Sequence, residues 1–560
     1  MSVQKKALPI GISDFSELIT KDYYYVDKSL FIQELVLNKE KVTLIPRPRR
    51  FGKTLNMSML KYFFEKTEVS NCCLFDHLAI SEFSDIMTHQ GQYPVIFMSL
   101  KGAVGVTWES SLTRLKKIVS DEFRRHKYLL EAGILDVAQM QEYRAIMDKT
   151  AHADVYGHSL LDLSRYLQEA HQQPVKIFID EYDALVHAAY LNNFYQPAID
   201  FLRAFLGDAL KENLALESAV LTGILRVAKE SIFSGLNNLS VETVLGNFYA
   251  DKFGFLEHDV AHMLDNYDVM IDIEEVRLWY DSYQSGQYRV YNPWSVLNLL
   301  KNKTIKSYWV HTAQEDIIKQ LIDPGSLEQQ ADVNTLMDGG VIRKKIDENI
   351  VFEQLKTDPD VLWGLLLFTG YLTFTSAVQE TSGFYVTLTI PNREILTVYF
   401  SSVYQWFKRK LDFSKYEYML RRLALGEVDR FIDLFKVFVL RTLSVFDVQG
   451  DEPERFYHAL VLGMLAVLYE THEIVSNRES GLGRFDVMLV PKDHTLPGVI
   501  IEFKKVDSRA SGALELAAQK ALEQITEKRY AIGLQGRGIT RVIELAIVFR
   551  GKEVLIKENL

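Results

Sequence analysis

Short apolar runs that alternate with longer helical patterns constrain the fold of this chain more than any other feature of its 560 residues. The runs occupy residues 42–45, 95–100, 175–179 and 219–221. Apolar runs of this length are typical of strands that are buried on both faces, and the helical patterns between them can supply two covering layers. The sequence therefore predicts an α/β fold with a parallel sheet between layers of helices.

The first run leads into a loop that is suited to binding phosphate. Residues 46–54 read Pro-Arg-Pro-Arg-Arg-Phe-Gly-Lys-Thr, and apolar residues at helical spacing follow directly. In a strand, loop and helix in this order, backbone N–H groups hold phosphate oxygens, the lysine reaches the β- and γ-phosphates, and the threonine hydroxyl binds Mg²⁺. The nucleotide-binding residues predicted from this loop are Arg49, Arg50, Phe51, Gly52, Lys53 and Thr54. Arg47 stands where the general P-loop has glycine, so the loop alone would also fit a basic turn before a helix.

The third run ends in two carboxylates. Asp180 and Glu181 follow residues 175–179 directly. Because phosphoryl transfer depends on positioning and charge neutralisation, we expect Asp180 to join the Mg²⁺ shell and Glu181 to orient the attacking water. Asp183 is predicted to cap the helix that follows. The two motifs together predict an ATPase with ATP and Mg²⁺ as cofactors.

The fourth run delivers Thr222 to the edge where ligands of open α/β sheets bind. Thr222 is predicted to sense the γ-phosphate. Arg226 has two interpretations: it supplies positive charge to the transition state, or it is an ordinary surface ion-pair partner.

Composition limits the environment and the partners. The formal net charge of −11 argues against wholesale coating of nucleic acid and leaves room for a local basic groove. The only cysteines, Cys72 and Cys73, are adjacent and form no disulfide framework, which fits the cytoplasm. The apolar run 361–378 contains the polar or small residues Thr369, Gly370, Thr373, Thr375 and Ser376, so a buried helix followed by a strand is predicted rather than a membrane span.

A second group of acidic and basic residues lies near the end of the chain. Asp486 begins one apolar strand, and Glu502 and Lys504 lie two apart on the next, so that they share a face. Asp486 and Glu502 would hold Mg²⁺, and Lys504 would orient or deprotonate a water molecule for phosphodiester hydrolysis. This spacing resembles a PD-(D/E)xK nuclease core. An exposed strand with an ordinary Glu–Lys pair is the alternative.

The resemblance to that superfamily points to further residues. It implies an additional metal carboxylate upstream, either Glu454 or Glu473. It also implies a closing helix over residues 513–529, with Gln524 on it and Tyr530 just beyond it.

The same patterns divide the chain into four parts. We expect an ATPase-like P-loop domain at 6–250, a helical lid at 251–330, a helix-rich connecting region at 331–445 and a nuclease-like α/β domain at 446–560. One strand pair is predicted in the connecting region around residues 384–390.

Several short motifs extend the resemblance over nearly the whole chain. They lie at residues 9–15, 24–29, 47–54, 179–183, 222–223 and 231–238. With them, the chain resembles bacterial AAA-ATPase-like proteins that carry a C-terminal PD-(D/E)xK domain. In that family an arginine at the position of Arg47 is usual.

Two hypotheses about function follow. The first is an ATPase coupled to a Mg²⁺-dependent nuclease that acts on nucleic acid, with DNA preferred. The second is a nucleotide-driven switch whose C-terminal fold binds nucleic acid or protein without cutting. Both leave the oligomeric state, including a homo-oligomer, open.

Overall fold

The computed structural model describes most of the chain. The described residues are 5–226, 232, 237–309, 327–337, 339–348, 358, 360–399, 413–445, 465, 468, 471–480, 483–506, 510, 512–550 and 553–559. The chain divides into two compact units, Met1–His311 with Arg343–Glu394, and Thr312–Ile342 with Ile395–Leu560. The four-part division of the sequence stays a prediction.

The first unit contains a parallel sheet of five described strands. They are β1 Val42–Pro46, β2 Val95–Ser99, β3 Val175–Asp180, β4 Leu216–Gly223 and β5 Leu239–Val241, in the order β2-β3-β4-β1-β5. Every residue of β1 and β3 is buried, as expected for strands covered on both faces. Pro46 lies opposite Gly223, and Ser99 lies opposite Asp180, so the strands end together at one edge. The four predicted strands are confirmed.

Helices cover this sheet. Their bounds are Phe15–Thr20, Leu30–Asn38, Lys53–Phe64, Ser84–Met87, Trp108–Arg125, Val137–Met147, Ala153–His171, Ala184–Leu191 and Tyr195–Leu210, with 3-10 turns at Cys72–Leu74, Ala79–Glu82, Leu100–Ala103 and Lys127–Leu130. The helix Lys53–Phe64 is called the loop helix below. Of its apolar residues at helical spacing, Met59, Leu60, Phe63 and Phe64 are buried and Leu55 is half-buried. At the edge strand β2, the Glu122 carboxylate accepts from Phe97 N at 2.9 Å, which occupies a backbone donor that would otherwise be open to another chain.

After residue 251 the first unit contains helices, a hairpin and further strands, and the predicted lid and connecting region stay predictions. Its described elements are the helices Glu257–Asn266, Ile273–Tyr280, Pro293–Asn302 and Asp360–Thr369, the hairpin β6 Tyr283–Ser285 and β7 Tyr288–Val290, and the strands β8 Ile342–Lys345, β9 Thr373–Glu380 and β10 Gly383–Thr389. The run 361–378 is a helix followed by a strand, which confirms that prediction. No helix in the described ranges is long and apolar enough to cross a membrane.

The second unit contains a mixed sheet. Its strands are β11 His472–Ser480, β12 Gly483–Pro491, β13 Gly498–Lys505, β14 Val542–Arg550 and β15 Glu553–Glu558, in sequential order, and its described helices are Leu327–Met337, Phe413–Ala424, Val428–Val445, Ala513–Lys528 and Ile532–Gln535. β13 and β14 are parallel, and the helix Ala513–Lys528 lies in the connection between them. Two small residues of this helix, Ala518 and Ala521, pack on Ala546 and Val548 of β14. The two predicted strands, with Asp486 on one and Glu502 and Lys504 on the next, and the closing helix are confirmed.

Candidate functional site

The loop between β1 and the loop helix, residues 47–52, is called the phosphate loop. Arg50 and Gly52 both have left-handed backbones, with φ of 70° and 84°, and Gly52 is the N-cap of the loop helix. Loops in which left-handed residues alternate with others turn successive N–H groups toward one concave side. The loop and the helix N-terminus therefore offer backbone donors to an anion.

Arg47 explains how the loop begins without a glycine. Its side chain is buried and leaves the loop, and its Nη1 donates to the carbonyl oxygens of Pro46 at 2.9 Å and Glu242 at 2.5 Å. Nη2 donates to the carbonyl of Phe248 at 3.4 Å. Burial lowers the pKa of Arg47 to about 10, and the nearby Glu242 and Glu34 oppose that change. The arginine is a structural tether that leaves the concave side of the loop clear.

Lys53 lies inside the phosphate loop. The residue is only 4% exposed, and its Nζ donates to the carbonyls of Arg47 and Pro48, both at 3.0 Å. Nζ also lies 4.0 Å from Oε1 of Glu181, which has a left-handed backbone with φ of 53° just after β3. The ammonium group is thus held among neutral oxygens and one carboxylate, where a phosphate could replace them as its partner.

Asp180 is the meeting point of the site. It is fully buried, and its carboxylate accepts from the hydroxyls of Thr54 and Thr222, each at 2.8 Å. Ser99 Oγ lies 3.4 Å away. Strands β2, β3 and β4 and the loop helix therefore bring four polar side chains to one point. They are Ser99, Asp180, Thr222 and Thr54. Ser99 was missed, although it directly follows the apolar part of β2.

Asp183 occupies the N-cap position of the next helix, but its side chain makes no capping hydrogen bond there, so the predicted capping role was wrong. Its Oδ2 accepts instead from the backbone N–H groups of Ile224 and Leu225, both at 2.9 Å, and from His187 Nε2 at 3.1 Å. Burial alone would raise the pKa of Asp183, but these hydrogen bonds lower it below its ordinary value. Asp183 thus fixes the segment that follows Thr222.

The other predicted loop residues take different places. The Phe51 ring is buried edge-on against Tyr283, with centroids 5.1 Å apart, so only its backbone is available to a ligand. Arg49 is half-buried, and Arg50 lies over Trp294. Arg226 is half-buried beyond β4 and forms no ion pair with any described residue, so its two interpretations both stay predictions.

Acidic residues of the N-terminal motifs are structural. Asp14 accepts from Glu17 N at 2.9 Å and from the Tyr62 hydroxyl, on the loop helix, at 3.1 Å. Asp27 accepts from Ser29 N at 2.8 Å and Ala79 N at 2.7 Å. These contacts hold the N-terminal segment to the body of the domain.

In the second unit, Asp486 and Glu502 lie on neighbouring strands β12 and β13. Asp486 Oδ2 accepts from Phe503 N at 2.7 Å, and Lys504 Nζ lies 2.9 Å from Glu502 Oε1. Phe503, between Glu502 and Lys504, is fully buried. The predicted sharing of a face by Glu502 and Lys504 is present.

Glu502 is a buried carboxylate with a second carboxylate, Asp486, and an ammonium group, Lys504, nearby. It is 1% exposed, and burial and then the charge of Asp486 raise its pKa above the ordinary value, against the effect of Lys504. Gln524 Nε2 donates to Oε1 and also lies 3.2 Å from the Tyr530 hydroxyl. Oε2 is buried and has no hydrogen-bond partner in the described part of the chain. A buried carboxylate oxygen of this kind fits a cation that prefers oxygen ligands.

The resemblance implies an additional metal carboxylate at Glu454 or Glu473. Glu454 lies outside the described residues. Glu473 on β11 pairs with Val490 and forms an ion pair with Arg537 at 2.7 Å. Val490 is four residues along β12 from Asp486, about 13 Å at strand spacing, so Glu473 is not brought to the pair. No group of three or more His, Cys, Asp or Glu side chains suited to a metal occurs within the ranges described.

The first unit's sheet and edge residues define a P-loop-type α/β domain, and the second unit's mixed sheet defines a nuclease-like α/β domain. Comparison with protein families agrees. Residues 9–233 match the model described as a predicted AAA-ATPase, and residues 452–559 match that of the PD-(D/E)XK nuclease superfamily. The first match lies within the unit that holds the parallel sheet, and the second covers the mixed sheet.

A relative shares part of the chain. A protein of Azotobacter chroococcum mcd 1, described as an uncharacterized protein in the vnfD 5′ region, is 28% identical over 328 residues. The alignment covers 57% of this chain and 57% of the relative, so the chain spans little more than half of that relative's length.

Proposed function

We propose that this protein binds and hydrolyses ATP at the carboxyl edge of its parallel sheet, and that its C-terminal domain is a Mg²⁺-dependent nuclease acting on nucleic acid, with DNA as the first substrate to test. The observation that carries the proposal is the buried Asp180 carboxylate, which accepts from both Thr54 and Thr222 beside Lys53. The exposed thiols of Cys72 and Cys73 fit action in the reducing cytoplasm.

Each residue of the ATP site has a distinct task in this proposal. Lys53 holds the β- and γ-phosphates, and Glu181 orients the attacking water. The oxygens of Thr54 and Asp180 suit Mg²⁺, which would neutralise phosphate charge when bound. Thr222 contacts the γ-phosphate, and Arg226 adds positive charge to the transition state.

The nuclease site divides the work similarly. The oxygens of Asp486 and Glu502 suit Mg²⁺, which would lower the pKa of a bound water and neutralise the phosphate. Lys504 orients or deprotonates that water, and Gln524 holds the Glu502 carboxylate in place. The alternative is a nucleotide-driven switch whose nuclease-like domain binds without cutting.

Substitutions at Lys53 and Glu181 separate binding from hydrolysis. Lys53→Ala should abolish ATP binding, because the phosphates lose their cation. Glu181→Gln should still bind ATP but hydrolyse it about 100-fold or more slowly, because the attacking water loses the negatively charged carboxylate that orients and polarises it. Calorimetric binding and phosphate release measure the two steps, and Lys61→Ala, two turns along the loop helix, is the control. Unchanged turnover in both variants would contradict the ATPase assignment.

The nuclease proposal is tested with plasmid, single-stranded DNA and RNA, each with Mg²⁺ or Mn²⁺ and with or without ATP. Asp486→Ala and Glu502→Ala should remove metal binding and cleavage together, whereas Lys504→Ala should keep metal binding and lose cleavage. Lys505→Ala, the next residue of β13, is the matched control. If the wild-type protein cuts nothing under any condition, the switch function replaces the nuclease.

A further inference from the structure

The backbone of Arg50 is held in a conformation that long side chains rarely adopt. Its φ of 70° lies in the left-handed region, which is unfavourable for residues with a Cβ and is usually taken by glycine. Gly52, two residues on, is also left-handed. The phosphate loop therefore depends on Arg50 keeping a conformation that it would not choose by itself.

An aromatic ring from outside the loop holds the Arg50 side chain. The guanidinium carbon lies 4.2 Å from the centroid of the Trp294 ring, a distance at which the cation is attracted to the π face. Trp294 is itself fixed at both ends. Its backbone N–H donates to Asn292 Oδ1 at 2.9 Å, and its indole Nε1 donates to the carbonyl of Tyr308 at 3.1 Å.

We propose that Trp294 is a positioning residue of the phosphate loop: by holding the Arg50 side chain, it keeps the Arg50 backbone left-handed and the loop N–H groups directed at the phosphates. The proposal rests on the proposed ATP site for the identity of the anion. It also ties the helix Pro293–Asn302, which lies outside the P-loop sheet, to the shape of that site.

A double-mutant cycle separates this role from simpler ones. Glycine adopts positive φ without cost, so Arg50→Gly should preserve the loop shape without any need for Trp294. We expect Trp294→Ala to weaken ATP binding about tenfold with little change in kcat, and Trp294→Phe, which keeps an aromatic face, to restore most of it. Arg50→Gly serves here as the second background of the cycle, and its own ATP affinity is the reference for the double variant. Adding Trp294→Ala to Arg50→Gly should then cause no further loss.

Titration calorimetry measures ATP affinity, and steady-state kinetics measures kcat. Trp279→Ala, on the helix Ile273–Tyr280, is the control for the loss of an indole elsewhere. If Arg50→Gly alone abolishes ATP binding, Arg50 acts through its charge on the nucleotide and the proposal is overturned. It is also overturned if Trp294→Ala costs the same factor in both backgrounds, because the tryptophan then acts only in packing.

A nucleotide-free measurement keeps the test independent of the proposed function. The wild type, Trp294→Ala, Arg50→Gly and the double variant are compared by their thermal unfolding midpoints without ATP. The proposal expects Trp294→Ala to lower the midpoint less in the Arg50→Gly background than in the wild type. Equal losses would overturn it even if the wild type bound no ATP, an outcome that would separately overturn the ATPase assignment.

Discussion

Gly223 occupies a position in the proposed ATP site where no side chain fits. A Cβ added there would lie 2.5 Å from Asp183 Oδ1 and 2.8 Å from the Tyr182 ring. The glycine thus lets β4 end close against the segment that carries Asp180 and Glu181. At the scale of single residues, the site depends on this close approach as much as on the charged groups themselves.

Gly223→Ala should destabilise the first unit by about 1–3 kcal/mol, because the methyl group forces Asp183 and Tyr182 to move. ATP binding should weaken with it, since Thr222 precedes the altered residue. Thermal unfolding and calorimetry measure both effects. Gly207→Ala is the control, because a Cβ at this helical position meets nothing within 4 Å and should be neutral or slightly stabilising. Equal midpoints for the two variants would contradict the steric argument.

At the scale of elements, Glu394 joins the helix Pro293–Asn302 to the segment that follows it. The carboxylate is fully buried and accepts from the Ser295 hydroxyl at 2.7 Å and from the backbone N–H groups of Tyr308 and Trp309. Burial raises its pKa from 4.5 to about 7, even though the hydrogen bonds oppose that change. An ionisable group therefore lies at a structural junction.

This group makes stability depend on pH in a defined direction. Between about pH 4.5 and 7 the folded protein keeps Glu394 protonated while the unfolded chain ionises it. Its stabilisation is complete below that window and is lost as the pH rises through about 7, by up to about 3 kcal/mol. Glu394→Gln cannot ionise, so the difference in unfolding midpoint between pH 5 and pH 8 should be smaller than in the wild type. Glu212→Gln, at an exposed site, should leave that difference unchanged. The same difference in midpoint in all three proteins would contradict the prediction.

The sequence predicts those elements that are long enough to show a buried apolar run or a helical period. β1 to β4 are buried runs of five to eight residues, and the loop helix shows a helical period. β5, β6 and β7 have only three residues each, too few to show a period of two, and they exist because neighbouring strands pair with them. Lys53, Thr54, Asp180 and Thr222 were predictable because parallel strands end at one edge. Ser99 and the true partners of Asp183 depend on the register of β2 and on a loop contact, which no local pattern encodes.

At the scale of the whole molecule, the two candidate sites lie in different compact units. The contacts that shape each one come from within its own unit, as with Asp180 in the first and Glu502 in the second. A mutation in one site should therefore leave the activity of the other site unchanged.

Asp486→Ala should leave the rate of ATP hydrolysis within about twofold of the wild type, because sites without shared partners usually behave independently. Lys53→Ala should in turn leave metal binding by the C-terminal domain unchanged. Phosphate release and metal titration of the full-length variants measure the two effects, with Lys505→Ala as the control. A large fall in ATP turnover in Asp486→Ala would show instead that the sites operate as one.

Arg47 has a consequence for how such proteins are found. A motif records the residues that commonly meet a backbone requirement, whereas the requirement at this position is that its own side chain stays out of the concave side of the loop. Replacing Arg47 with glycine would bring the chain closer to the general pattern and would also leave the carbonyls of Glu242 and Phe248 without their donor. The better match would be the poorer loop, so a search that scores only letters would rank these two sequences in the wrong order.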